Sequence, residues 1–213
     1  MRRHILPILS ILLLFVNISS AQKIKSPEEV FGYPMGTDRE LINWQQIHDY
    51  FRMLDADSDR LKLVELGKTT LNRPMLMAII SSAETMHNLE KYKSIQQKLG
   101  RPYTIEYDAA QTLIREGKLV LLITMNIHST EIAASQESVE LAYELVTSAT
   151  PDVQNIRDNV IILMVPSLNP DGQDMVTRWY LQDVGTDYEG SRMPMKYHFY
   201  ADHDNNRDCS FSI

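Results

Sequence analysis

The chain has 213 residues, 44% of them hydrophobic and 23% charged, with a formal net charge of −7. That composition supports one globular domain with a real core and excludes a fibrous or disordered chain. The acidic balance argues against nucleic acid as a partner and against attraction to anionic membranes.

Arg2 and Arg3 precede an apolar run from Ile5 to Val16, and Ser19-Ser20-Ala21 set small residues before Gln22. This is the order of a secretory signal, so residues 1–21 are expected to be cleaved near Ala21 and the protein exported, to the periplasm or beyond the cell. The run is shorter than the roughly 20 residues that span a bilayer, so an uncleaved anchor is the lesser reading and no stable membrane anchor is expected. Losing residues 1–21 removes two arginines and no acid, which moves the charge from −7 to −9. Cys209 is the one cysteine. It can form no internal disulfide, and a buried structural role suits it better than a catalytic one, since no histidine stands at a dyad spacing.

Residues 22–60 read as a helical lead-in to an α/β domain over 61–213. Ser26-Pro27-Glu28-Glu29 and Thr37-Asp38-Arg39-Glu40 both look like capped helix starts. Apolar residues from Leu41 to Leu54 recur at helical spacing. Lys62–Gly67 and Met75–Ile80 predict strands joined by a turn over Lys68–Pro74, and hence a hairpin. Ala83–Leu99 predicts a surface helix, and Asp108–Glu116 a second one stopped by Gly117. Leu119–Met125 is continuously apolar, as in a central strand buried on both faces. Glu131–Val146 carries a helical apolar stripe. Val160–Val165 predicts another buried strand, and Asn169-Pro170-Asp171-Gly172 a turn. This order predicts an α/β sheet with helical crossovers.

In such sheets ligands bind beyond the carboxyl ends of strands, where His128 and Asn169 both fall. His128-Ser129-Thr130-Glu131 places an imidazole and a carboxylate three residues apart after a buried strand, and zinc accepts both donor types. An isolated H-x-x-E recurs by chance, and its position is what gives it weight. Asp204-Asn205-Asn206-Arg207-Asp208 forms a second constellation. The fork of Arg207, with the Asn206 amide beside it, suits a peptide's free C-terminal carboxylate, although alone it also reads as a surface turn.

Together these motifs resemble the zinc carboxypeptidases of peptidase family M14: H-x-x-E, then N-P-D-G after the next strand, then an N-R pair. Leu66-Gly67-Lys68-Thr69-Thr70-Leu71-Asn72-Arg73-Pro74 is similar to the family's hairpin signature, with Asn72 where glycine is usual. Tyr188-Glu189-Gly190 and His203–Asp208 resemble a secreted bacterial branch. The resemblance covers roughly Ser26 to Phe211. It implies a mixed, mostly parallel sheet with helices on both faces. It implies Zn²⁺ held by His128 and Glu131, and a peptide's terminal carboxylate held by Asn206 and Arg207. The implied reaction releases C-terminal residues from peptides.

The family's third zinc ligand, its general-base glutamate and a substrate-capping tyrosine stand further downstream than Ile213. The sequence is therefore expected to be a C-terminally incomplete, and in isolation inactive, part of such an enzyme. His198 or His203 completing the zinc site is an alternative, as is a peptide-binding pseudoenzyme. A related zinc amidohydrolase that deacylates an amino acid is the second enzymatic reading. The family's oxyanion arginine has no clear counterpart, with Arg178 and Arg192 as candidates. Thr130 stands where several members carry an arginine. An uncovered apolar strand edge, at Leu119–Met125 or Val160–Val165, is expected to make the isolated chain poorly soluble.

Overall fold

A computed structural model describes residues 23–194. Ser26 caps α1 (Pro27–Phe31) as expected, in a capping box with Glu29. The second expected start, at Thr37, does not hold. Glu40 N–H closes a turn on Thr37 O, and Arg39 at φ 66° cannot continue a right-handed helix. The helix begins instead at Trp44, where Asn43 and Gln46 form a capping box for α2 (Trp44–Asp57). Between them Ile42 is held at both backbone groups: its N–H donates to Gln136 Oε1 at 2.8 Å, and Gln136 Nε2 donates back to Ile42 O at 2.9 Å.

β1 (Leu61–Lys68) and β2 (Pro74–Ile80) form the expected antiparallel hairpin, with a bulge between Glu65 and Gly67. The turn closes through Asn72, whose N–H donates to Thr69 O at 2.9 Å and whose φ is 63°. Asparagine tolerates the left-handed region better than other side chains, which explains how it replaces glycine there. The polar stretch after β2 is two helices, α3 (Ala83–His87) and α4 (Leu89–Leu99), broken at Asn88. α5 (Tyr107–Glu116) follows and ends at Gly117. Then come β3 (Leu119–Thr124), α6 (Ile132–Thr147), α7 (Pro151–Asn159), β4 (Val160–Val165) and α8 (Pro170–Asp183).

The strand order is β1-β2-β4-β3. The fold is α/β with a mixed sheet: β2 runs antiparallel to β1 and β4, and the parallel pairing among the described residues is β3 with β4. The α6–α7 crossover joins that parallel pair. Period-two alternation puts Leu61, Leu76, Ala78, Ile80, Ile162 and Met164 on one face. They are buried against Ile47, Phe51 and Leu54 of α2 and Val139, Ala142 and Leu145 of α6. Each buried Leu, Ile, Val, Met or Phe among them contributes about 1.5–3 kcal/mol. The lead-in helix α2 thus shares the core of the sheet. Over the opposite face α3 and α4 enclose a cleft of about 1020 Å³, floored by Val64, Met77, Ile79, Val120, Ile161 and Leu163.

β3 departs from expectation. Rather than a strand buried on both faces, it pairs only with β4 among the described residues. Leu119 is 65% exposed and Leu122 60%. The apolar run encodes a strand that takes neighbours on all sides, and the described residues supply one. β4, between β2 and β3, shows no such edge and keeps Ile161, Ile162, Met164 and Val165 buried.

Candidate metal centre

The carboxyl ends of the parallel strands β3 and β4 carry the candidate residues, as open α/β sheets do. Past the end of β3, Met125 N–H still donates to Val165 O (3.1 Å) and Met125 O accepts from Leu168 N–H (2.8 Å). Asn126, at φ 54°, then turns the chain out of the sheet. His128 lies in the loop that follows, and Glu131 is the residue immediately before α6.

His128 Nδ1 stands 3.0 Å from Glu131 Oε1. Backbone bonds brace the pair: His128 N–H donates to Glu131 Oε2 at 3.3 Å, and Glu131 N–H donates to His128 O at 3.0 Å. The imidazole side chain is 19% exposed and the carboxylate 53%. Zinc binds imidazole nitrogen and carboxylate oxygen at about 2.0–2.2 Å, so two corners of its tetrahedron lie roughly 3.3 Å apart. The pair fits that edge after opening by a few tenths of an ångström. Among the described residues no cluster of three or more His, Cys, Asp or Glu side chains suited to a metal ion is found.

The N-P-D-G segment is not a free turn. It is the first turn of α8, with Asn169 Oδ1 accepting from Gly172 N–H at 2.9 Å as the N-cap. Proline at the first helical position fits, because its missing N–H would have had no helical partner. Gly172 answers a close approach: a Cβ there would lie 2.5 Å from Asn169 Nδ2 and 2.6 Å from Ser129 Cβ. Ser129 belongs to the H-x-x-E loop, so that loop and the start of α8 are packed directly together. Asp171 reaches the other way. Its carboxylate accepts from Thr69 Oγ1 (2.8 Å), Leu71 N–H (3.0 Å) and Arg73 Nη1 (2.7 Å) in the hairpin.

The sequence singled out His128 and Glu131, and the fold brings them together. Asn206 and Arg207 lie outside the described residues, as do His198, His203 and Cys209. Arg178 and Arg192 are both exposed, as is Thr130. Arg178 sits on the third turn of α8 beside a pocket of about 340 Å³ that also includes Leu71, Met175 and Trp179. Sequence reasoning missed Asn126. Its 3% exposure, positive φ and contacts with both H-x-x-E carbonyls belong to the fold. The available signal was an asparagine at the end of an apolar strand, a residue type that accepts a left-handed backbone.

The chain belongs to the zinc carboxypeptidase family, whose sequence model matches residues 47–208. Carboxypeptidase A from Helicoverpa armigera is similar in structure at 17% identity, with 62% of this chain and 25% of that one covered and a TM-score of 0.43. Thrombin activatable fibrinolysis inhibitor (TAFI) is similar at 13% identity, with 70% and 31% covered and a TM-score of 0.46. The matched region is thus about a quarter to a third of those chains. No curated protein sequence matches.

Proposed function

We propose that this chain contributes to a zinc-dependent metallocarboxypeptidase that releases C-terminal residues from peptides. The observation carrying this reading is the 3.0 Å pair of His128 Nδ1 and Glu131 Oε1 at the end of β3 in a zinc carboxypeptidase family chain. Those two atoms would hold Zn²⁺. Zinc bound there supplies a Lewis acid that polarises the scissile carbonyl and acidifies a water.

The chain's own residues supply placement. His128 and Glu131 project from a short loop braced by its backbone and packed on the start of α8. Asn206 and Arg207 would hold the substrate's free carboxylate through paired charge-assisted hydrogen bonds. Such a grip selects chain ends, because an internal peptide bond or a C-terminal amide offers no carboxylate. Export after cleavage near Ala21 fits a peptide-degrading role outside the cytoplasm.

The test is hydrolysis by the whole protein of matched peptides ending in a free carboxylate or an amide, with and without chelator. Release of the terminal residue from the free acid alone, abolished by chelation and restored by Zn²⁺, is the expected result. Equal cleavage of the amide, or cleavage restricted to N-acyl amino acids, would overturn the carboxypeptidase reading.

A further inference from the structure

Asn126 is two residues before His128, and its side chain is buried. Its amide is oriented by its surroundings. Oδ1 accepts from Ser167 Oγ at 3.0 Å, and Nδ2 donates to His128 O at 3.1 Å and to Glu131 O at 3.2 Å. The opposite orientation would set an amide oxygen against two carbonyl oxygens. Ser167 is fully buried in the loop between β4 and α8. One planar amide therefore ties the carbonyls of both H-x-x-E residues to each other and to the neighbouring strand's loop.

We propose that Asn126 is the positioning residue of the His128–Glu131 pair. It holds the two backbones at one separation, and thereby sets the spacing of the imidazole and carboxylate before an ion arrives. This rests on the metal-binding role proposed for that pair. A ligand spacing fixed in advance avoids ordering the loop on binding, and losing an outer partner of a metal ligand typically weakens metal affinity about 10- to 100-fold.

The backbone offers a competing reason for asparagine, since φ is 54°. Asn126→Gly separates the two reasons, because glycine takes that conformation freely but has no amide. Asn126→Asp keeps the shape and replaces the donor with oxygen facing two carbonyls. The experiment titrates the whole protein with Co²⁺, read by its visible absorption. It also follows hydrogen exchange of the Glu131 amide in metal-free protein, with a melting curve to confirm folding. Roughly tenfold weaker Co²⁺ binding in Asn126→Gly, a larger loss in Asn126→Asp and faster exchange in both support the proposal. Wild-type affinity and exchange in Asn126→Gly overturn it. If wild-type protein and His128→Ala take up Co²⁺ alike, the pair's metal role fails. Exchange then decides the positioning role, and an unchanged Glu131 amide in both Asn126 variants rejects it.

Discussion

Arg73 and Asp171 are 98 positions apart in sequence and joined in the fold, with Arg73 Nη1 donating to Asp171 Oδ1 at 2.7 Å. Arg73 Nε also donates to Asp174 Oδ2 at 2.8 Å, and Asp174 Oδ1 accepts from Trp44 N–H at the start of α2. The hairpin tip, the first turns of α8 and the first turn of α2 are therefore one charged joint. Burial works to lower the Arg73 pKa, and the two carboxylates outweigh it and raise it. Asp171 neighbours Gly172, which packs on Ser129, so this joint also backs the H-x-x-E loop.

Removing one partner of a largely buried ion pair leaves the other charge uncompensated. The side chains of Arg73 and Asp171 retain 24% and 12% exposure, which moderates the loss. Arg73→Met is expected to cost about 2–3 kcal/mol in urea unfolding, below the ceiling for a fully buried pair. A change under about 0.5 kcal/mol, the range of an ordinary surface substitution, would remove the joint from the list of stabilising features.

The elements were legible where local signals agreed with tertiary packing. Apolar period and Gly117 marked α5, β1, β2 and β4 within a residue, and the Ser26 cap marked the start of α1, whereas α2 begins three residues after Leu41 and ends three after Leu54. Three readings needed the fold. Asn169-Pro170-Asp171-Gly172 has turn composition, but the same residues cap a helix when an apolar stripe follows. Thr37 has cap chemistry, but the left-handed Arg39 ends the turn and Asn43 takes that role. β3 carries the apolar code of a central strand and stands at an edge among the described residues. The meeting of His128 and Glu131 was legible because both lie within four residues. Asn126 was not, because its partner Ser167 is 41 positions away.

Gly172→Ala tests the packing between α8 and the H-x-x-E loop. A new Cβ at 2.5–2.6 Å from Asn169 and Ser129 forces one of them to move. A loss of about 1–3 kcal/mol is expected, as for overpacking elsewhere. Changed chemical shifts at residues 128–131 should accompany it. An unchanged melting temperature with unshifted loop resonances would show that the contact is soft.

Glu140 makes a pH-dependent prediction. Burial raises its pKa first, and Glu137, Glu144 and Glu28 add to the shift. A carboxyl raised on folding penalises the folded state above its folded pKa, and the penalty disappears as pH falls below the usual value of 4.5. Glu140 is exposed, so solvent screens much of this repulsion, and Glu140→Gln should stabilise the protein near pH 7 by no more than about 0.3 kcal/mol. The gain should vanish below the ordinary glutamate pKa. A gain independent of pH would point to something other than charge.

The open edge of β3 predicts self-association of the isolated chain. Leu122 is 60% exposed on a strand with one free side among the described residues. Charged side chains on an edge strand oppose edge-to-edge pairing. Leu122→Lys should shift sedimentation profiles toward monomer, with stability changed by no more than about 0.5 kcal/mol. A wild-type chain that is already a cooperative, soluble monomer would contradict this.

Metal content reports most directly on His128 and Glu131 as zinc ligands. Whole protein, purified without added metal and assayed by atomic emission alongside His128→Ala and Glu131→Ala, should carry about one equivalent of zinc in the wild type. Both variants should lose most of it while remaining folded, as expected when one first-sphere ligand is removed. Less than roughly a tenth of an equivalent in the wild type, or equal zinc in all three proteins, would contradict a metal centre built on this pair.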